Sequence, residues 1–320
     1  MVGPGVPFAR GSISLRLYPH NDLDAPDILR ELCAQAKIGL SAGFDGIMTS
    51  EHHGGFPGYL PNPLQMVGFL LEDSPEGWAA ACPLLLPLRP TGLVAEETAW
   101  LAARHPGRLG LGVAAGALRR DFDVMDLPLD GAIDRFKVAL PRLVDMLGGR
   151  DLGELEGDPA LRRCRDHPVP VLSAAASPGA ARRAARCGAG LILEGMSTPE
   201  RLARICAAYD EEGGLAPKVL IRRVWVGAPD TTLVTRQRQV YDSYTSSATA
   251  FGDDQTVSAA DPDELAERLL TVWRDSGADA LNLRVHLPGM PAAAVREQIV
   301  RLAENVVPRL RLRVLAELGP

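Results

Sequence analysis

The feature that most constrains the fold is a regular alternation of short apolar runs with longer segments of helical period. The runs are bounded by Gly or Pro, which is typical of buried parallel strands. Eight runs occur, at Ile13 to Tyr18, Gly46 to Ser50, Ala79 to Leu86, Leu109 to Ala114, Val169 to Ala174, Gly190 to Glu194, Val219 to Val226 and Ala280 to Val285. The alternation predicts repeated βα units around a parallel sheet.

These units favour a closed (β/α)8 TIM barrel over an open doubly wound sheet. No Gly-x-Gly-x-x-Gly motif follows the first predicted strand, where a dinucleotide-binding fold would need it. The chain has 320 residues, which suits a single barrel of about 250 residues with insertions. We therefore predict one α/β domain over residues 1–320, with residues 1–11 flexible. Insertions are expected after strands four and seven, at Gly148 to Pro168, taken as irregular, and Ala228 to Ala260.

One helix carries clear boundary signals. Asp261 offers an N-cap, Pro262 suits the first helical position, and apolar residues then recur at helical spacing as far as Ser276. This pattern predicts a helix from Pro262 to Ser276 that packs one face against the barrel. Thr198 followed by Pro199 repeats the start signal more weakly.

Composition and charge exclude several classes of partner. The net charge is −6 and both signs are interspersed, so no basic stripe exists to bind nucleic acid. The longest apolar stretch, Trp78 to Leu88, is broken by two prolines and is shorter than the roughly 20 residues of a membrane span. Met1 to Arg10 does not resemble a secretory signal.

The cysteines indicate a reducing compartment. There are five, widely spaced and without a metal-ligand pattern: Cys33, Cys82, Cys164, Cys187 and Cys206. We interpret them as reduced thiols in a cytoplasm.

The chemistry-bearing motif is Glu51-His52-His53, at the end of the second predicted strand. A barrel places its catalytic groups at the carboxyl ends of its strands, and histidine exchanges protons near neutral pH. The alternative is that one histidine only satisfies a loop carbonyl. A zinc role is disfavoured because adjacent histidines diverge and no third ligand is evident, so no metal is predicted.

Further polar and aromatic side chains are predicted at the mouth of the barrel: Arg16, Tyr18, Arg223, Trp225, Arg284 and His286. Strand alternation sends Arg284 and His286 to the same side. If that side is inward, they reach an anionic substrate or a cofactor phosphate. The alternative, given equal weight, is an internal ion pair of Arg284 with Glu51 or Glu194.

Two loops are candidates for holding a ligand. Ala114, Ala115 and Gly116 follow strand four and are small enough for a ring to lie against the backbone, or they form only a tight turn. After strand five, Ser177 precedes a helix whose first N–H groups could bind a phosphate. Ser177 is equally explained as a plain N-cap, and the two roles are compatible.

Seven motifs occur here in the order seen in luciferase-like monooxygenases, and the sequence resembles that family over nearly its whole length. They are Gly43-Phe44-Asp45, Glu51-His52-His53, Asn62-Pro63-Leu64, Leu84 to Leu88 with Ala95-Glu96-Glu97, Gly107 to Val113, Pro170 to Leu172 with Ser177-Pro178, and Asp279 to Gly289.

The resemblance implies a barrel that binds reduced FMN, or in sister groups a reduced 8-hydroxy-5-deazaflavin coenzyme. His52 matches the family's catalytic base and His53 its second histidine, and Glu51 before them is more similar to the FMN branch. Cofactor contacts are expected from Cys82, Pro83, Ala114, Ala115, Gly116, Ser177, Gly179 and Glu194.

The resemblance also implies a cis peptide bond between Cys82 and Pro83, where the family places a bulge that supports the flavin. Three positions depart from the family. Ala115 stands where luciferases carry a phosphate-binding arginine, and Ala175 and Pro178 stand where relatives carry hydroxyls. These departures weaken the expectation of tight FMN binding.

Three functions remain open on this basis. The first is a two-component monooxygenase that receives reduced FMN from a separate flavin reductase and oxidises a small organic substrate. The second is a deazaflavin-dependent hydride transferase, and the third is a non-catalytic, cofactor-poor partner subunit. A homodimer or a higher homo-oligomer is expected, without nucleic acid or membrane partners.

Overall fold

A computed structural model describes residues 5–244 and 255–318. Nine strands lie within these two ranges: β1 Ile13–Arg16, β2 Gly46–Thr49, β3 Trp78–Leu85, β4 Leu109–Ala114, β5 Val171–Ala174, β6 Gly190–Leu193, β7 Lys218–Val226, β8 Val257–Ala259 and β9 Ala280–Arg284. Strands β1 to β7 pair in sequence, and β9 pairs with both β7 and β1. These eight parallel strands close a barrel, which confirms the predicted (β/α)8 fold.

Helices surround the barrel: α1 Ala25–Ser41, α2 Pro63–Asp73, α3 Thr91–Arg104, α4 Arg119–Asp123, α5 Ala132–Leu147, α6 Pro159–Arg163, α7 Pro178–Cys187, α8 Pro199–Glu211, α9 Thr231–Tyr244, α10 Pro262–Ser276, α11 Ala292–Arg301 and α12 Val307–Leu318. Short 3-10 turns lie at Leu86–Leu88 and Gly153–Gly157, and a π-helical turn at Leu302–Val306 joins α11 to α12. Helix α10 has its predicted bounds, and the Asp261 carboxylate accepts the Glu264 N–H at 2.9 Å.

The two predicted insertions contain more regular structure than expected. The segment 148–168, interpreted as irregular, holds a 3-10 turn and α6, because the Asp158 carboxylate caps α6 by accepting the Leu161 N–H at 2.8 Å. The segment 228–260 holds α9 and β8, and β8 pairs with the end of β7. Residues 245–254 of this segment lie outside the described residues.

The amino-terminal end of the barrel is filled by apolar side chains. The rings of Phe8 and Trp78 meet edge to face with centroids 5.1 Å apart, and Phe8, in the segment expected to be flexible, is fully buried. A Cβ at Gly110 would lie 2.5 Å from the Phe8 ring, so only glycine leaves room for that ring inside the barrel. The same interior cluster includes Met48, Ala80, Cys82, Leu172, Ile192, Val219 and Ala280.

Within the described ranges, no helix is long and apolar enough to span a membrane. The same ranges contain no group of three His, Cys, Asp or Glu side chains arranged to hold a metal ion. All five cysteines are free thiols.

Candidate active site

Glu51 is the centre of a buried ion cluster that joins the end of β2 to the end of β3. One carboxylate oxygen accepts from His53 Nε2 and from Arg89 Nη1, both at 2.6 Å, and the other accepts the Leu85 N–H at 2.6 Å. The Glu51 side chain is fully buried and that of His53 nearly so. These contacts fix the backbone on both sides of His52.

His52 is held by Asp121, a residue that the sequence analysis did not name. The Asp121 carboxylate accepts from His52 Nδ1 at 2.7 Å and from the His53 N–H at 2.8 Å, and its side chain is fully buried. The bond to the carboxylate places the imidazole proton on Nδ1 and leaves Nε2 as the acceptor of the neutral ring. Because the His52 side chain is 20% exposed, the ring can meet a ligand in the mouth.

The loop after His53 is docked on α4, and this brings Asp121 to the histidines. Arg120 donates to the Gly54 carbonyl, and Gly54 has a φ of +65°. A Cβ at Gly54 would lie 2.5 Å from Arg120 Nε, so a larger residue would displace the contact. One sequence signal could have identified Asp121. It follows β4, and a barrel places its catalytic groups on the segments that follow the carboxyl ends of its strands.

Small residues line the ends of β4 and β5. Ala114, Ala115 and Gly116 after β4 and Ala174 at the end of β5 are all half-buried. Ala114 lies on the interior side of its strand, since Gly110 and Gly112 face the interior side chains of Phe8 and Cys82. These residues form a small-residue wall, in which no side chain is larger than a methyl group.

The wall is bounded by the end of β3. The Cys82–Pro83 peptide bond is cis, and the pairing of β3 with β4 shifts register between Ala81 and Leu84. Cys82 is fully buried, and a Cβ at Gly112 would lie 2.2 Å from its Sγ. Burial raises the pKa of the Cys82 thiol to about 12, so the thiol stays protonated and cannot serve as a nucleophile at neutral pH.

The predicted contacts after β5 and β6 lie on two separate loops. The Ser177 hydroxyl accepts the Ala180 N–H at 3.3 Å and so caps α7, while Gly179 in the first turn is exposed. The first N–H groups of α7 therefore face open solvent. Glu194 accepts from the Ser197 hydroxyl and from the Met196 N–H, which closes its own loop.

Aromatic rings connect His52 to the opposite side of the mouth. The His52 ring lies 4.5 Å from Tyr59 and 4.8 Å from Phe56, measured between centroids. Tyr59 meets Tyr18 edge to face at 5.2 Å, and Tyr18 stacks on His286 at 5.7 Å. This aromatic wall places His52 and His286 on one continuous surface.

Three arginines occupy matching positions on adjacent strands, and we name them the arginine row. Arg16 on β1 pairs in register with Arg284 on β9, and Arg284 pairs with Arg223 on β7. Arg16 Nε donates to Asn282 Oδ1 at 2.7 Å, and the Arg284 guanidinium lies 4.4 Å from the centroid of the Tyr18 ring.

His286 lies beside this row and is buried. Burial, together with the neighbouring His20 and Arg284, lowers its pKa well below the ordinary value, so the imidazole is neutral at pH 7. His286 Nδ1 has no hydrogen-bond partner within residues 5–244 and 255–318. The His20 ring lies 4.8 Å away, and its two nitrogens contact the Met290 carbonyl and the Gln35 amide.

Comparison with known proteins agrees with this architecture. The chain is 27% identical, over 89% of its length and 94% of the relative, to an F420-dependent glucose-6-phosphate dehydrogenase of Beutenbergia cavernae. The monooxygenase RslO1 of Streptomyces bottropensis superposes with a TM-score of 0.75 at 18% identity, covering 93% of this chain and 99% of that one.

The oxygenating constituent of the Pseudomonas putida 3,6-diketocamphane monooxygenase, solved with FMN, superposes with a TM-score of 0.71 at 16% identity. It covers 93% of this chain and 99% of its own. The family model for luciferase-like monooxygenases matches residues 13–251, about three quarters of the sequence. The chain therefore belongs to the luciferase-like monooxygenase family, whose relatives include both FMN-dependent and F420-dependent oxidoreductases.

Proposed function

We propose that this protein is a flavin-dependent monooxygenase that uses reduced FMN, delivered by a separate reductase, and O2 to oxidise a small organic substrate. The observation that carries the proposal is the His52–Asp121 pair, which presents an oriented imidazole to the mouth that the small-residue wall also faces. The pair has the form of a histidine base oriented by a buried carboxylate.

The residues present fit a flavin. Ala114, Ala115 and Gly116 carry no side chain large enough to obstruct a ring, and they lie beside the end of β3 at Cys82 and Pro83. The exposed first turn of α7 offers N–H groups to the phosphate, without the hydroxyls or the arginine that other family members add there. When bound, reduced flavin would supply the two electrons that reduce O2, so that one oxygen atom enters the substrate and the other leaves as water.

The protein's own contribution is to hold a proton acceptor and to exclude water. His52 Nε2 accepts a proton from the reacting group, and Asp121 stabilises the imidazolium that results. Phe56 and Tyr59 cover the ring of His52 and lower the local water content. Glu51 and His53 act as positioning residues, since their polar atoms are directed at each other rather than at the mouth.

A second candidate is a hydride transferase that uses a reduced 8-hydroxy-5-deazaflavin coenzyme. It is supported by the similarity along most of the chain to a relative named as an F420-dependent dehydrogenase. The same wall would hold the coenzyme. In alcohol oxidation the oxidised coenzyme would accept the hydride from the alcohol carbon while His52 accepted the hydroxyl proton, and the reverse reaction would use the reduced coenzyme. The third possibility, a non-catalytic subunit, gives no reason for the buried carboxylate that orients His52.

Anaerobic titration of the purified protein with reduced FMN and with the reduced deazaflavin separates these functions. Saturable binding of FMN supports the first, binding of the deazaflavin alone supports the second, and binding of neither overturns both. Ala114→Phe places a ring in the space before the wall and should abolish binding. Ala117→Phe, at an exposed position of the same loop, is the matched control and should bind as the wild type does.

The role of His52 is tested by His52→Ala in substrate-dependent oxidation of the cofactor identified above. The rate should fall by about 10²–10⁴-fold, because the proton acceptor is lost, while cofactor affinity and circular dichroism stay unchanged. The exposed His167→Ala is the control. Wild-type turnover by a folded His52→Ala protein would remove the assignment.

A further inference from the structure

We propose that the loop after β2 is a lid over the barrel mouth, and that Asn21 latches it closed over His52. We name residues 54–59 the mouth loop. The inference rests on the proposed function, because the loop covers the base of that same site. It follows from where the loop is fastened, which rings it buries and the backbone angles of its glycines.

The two ends of the mouth loop are fixed at the end of β2. The His52 N–H donates to the Leu60 carbonyl at 3.1 Å, and the Leu60 N–H donates to the Ser50 carbonyl at 3.2 Å. Arg120 holds the first residue of the loop through the Gly54 carbonyl. Because both ends are held close together, the tip of such a compact surface loop can move while β2 stays in place.

The tip of the mouth loop crosses to the segment between β1 and α1. Asn21 Oδ1 accepts the Gly58 N–H at 2.6 Å, and the ring of Tyr59 meets that of Tyr18 edge to face. Gly58 is buried whereas Asn21 is exposed, so the hydrogen bond lies at the edge of the covered area. A bond in this position contributes little net stability, because water can replace either partner when it breaks. The contact therefore suits a latch that opens and closes.

The mouth loop buries rings that belong to the site. A Cβ at Gly58 would lie 3.8 Å from Tyr18 Cδ1 and 3.9 Å from His286 Cε1, so the backbone of the tip lies directly on these rings. Tyr18 is 3% exposed, His286 is 2% exposed, and Phe56, which contacts the His52 ring, is 2% exposed. A substrate that lies along the aromatic wall between His52 and His286 therefore has to displace the loop.

Three glycines give the mouth loop its freedom to move. Gly54, Gly55 and Gly58 have φ angles of +65°, +72° and +81°, in the left-handed region that side chains disfavour. Glycine also adopts the right-handed and extended regions readily, so each of these positions can act as a hinge. A loop that opens admits the substrate, and when it closes it excludes water from the base.

The test labels the histidines of the full chain with diethyl pyrocarbonate at neutral pH, without cofactor, and follows each residue by mass spectrometry. His286 reports opening of the lid, because the tip covers its ring. Exposed His167 reports the activity of the reagent, and buried His105, at the end of α3, reports unfolding of the whole chain. Asn21→Ala should label His286 about fivefold faster, the effect of one lost hydrogen bond, with His167 and His105 unchanged.

Three further variants sharpen this test. Asn21→Asp keeps an oxygen that accepts the Gly58 N–H, so its His286 should be labelled at the wild-type rate. Asp22→Ala, at the exposed neighbouring position, is the matched control and should also behave as the wild type. Gly58→Ala should open the lid by a second route, because its φ of +81° disfavours alanine while the space around the new methyl group is sufficient.

Two outcomes would overturn the lid. The first is an unchanged labelling rate of His286 in both Asn21→Ala and Gly58→Ala. The second is an equal rise at His105, which would mean that the variants loosen the whole fold rather than the mouth loop.

Parallel titrations with reduced FMN and reduced deazaflavin separate this inference from the proposed function. Faster labelling of His286 in both variants, without binding of either cofactor to the wild type, would overturn the function and leave the lid standing. Cofactor binding together with unchanged labelling in both variants would support the function and overturn the lid.

Discussion

The two sides of the barrel mouth differ in how their charges are balanced. On the β2 to β4 side, Glu51 is matched by Arg89 and His53, and Asp121 is matched by His52. On the β7, β9 and β1 side, Arg16 is buried against the neutral Asn282. The charged groups of the first side balance one another, and they hold the base His52 in one orientation. On the second side, the Asn282 side chain that holds Arg16 carries no charge to balance it.

The comparison shows that a buried charge can have two different effects on stability within one site. A buried carboxylate with several donors orients other groups, and its removal leaves those donors without an acceptor. A buried cation with neutral partners lowers stability until a counter-ion arrives. Substitutions on the two sides should therefore change the free energy of unfolding in opposite directions.

The largest effect is expected for Glu51→Ala. Removing the carboxylate leaves Arg89, His53 and the Leu85 N–H without their common acceptor. Urea denaturation should show a loss of about 3–5 kcal/mol in the free energy of unfolding, the range found when one partner of a buried pair is removed.

Glu72→Ala is the matched control for this change, because Glu72 forms an exposed ion pair with Arg104. Its unfolding midpoint should stay at the wild-type value, since exposed pairs contribute little. If Glu51→Ala and Glu72→Ala unfold at the same urea concentration, the contacts of Glu51 do not stabilise the fold more than an exposed ion pair does.

A smaller effect is expected for the pH dependence of stability on the other side of the mouth. The pKa of folded His286 lies well below the ordinary 6.5, because the ring is buried beside His20 and Arg284. Between these two values the unfolded chain binds more protons than the folded chain, so stability falls as the pH drops below about 6.5. His286 contributes a slope of at most about 1.4 kcal/mol per pH unit and none above this window.

His286→Gln removes that contribution, so its unfolding free energy should change less between pH 6.5 and 5 than that of the wild type. Chemical denaturation at a series of pH values measures the difference. Equal slopes for the two proteins would show that His286 takes up its proton over the same pH range in the folded and in the unfolded chain.

Much of the barrel could be predicted from the sequence because a buried parallel strand is a short apolar run between Gly or Pro residues. All eight barrel strands were found in this way. The ninth, β8, was missed because its three residues, Val257–Ala259, lie in a polar excursion and pair only with the end of β7. The short helix α6 was not predicted either, because the first insertion is also polar.

The site was less predictable because its contacts are long-range. His52 was found from its place at a strand end, but Asp121 lies 69 residues further along and meets it only when the barrel closes. Alternation placed Arg284 and His286 on one side of β9. Their alignment with Arg16 and Arg223 depends on the stagger between strands, which no local pattern specifies.

The smallest expected effect, and the one that tests the comparison most directly, is Arg16→Gln. The glutamine amide can still donate to Asn282, so the variant removes the charge and retains a donor. We expect the free energy of unfolding to rise by about 1 kcal/mol in phosphate-free buffer, because a buried cation without a counter-charge is replaced by a neutral group. A variant less stable than the wild type would mean that Arg16 is a structural residue, and the two sides of the mouth would then follow the same rule.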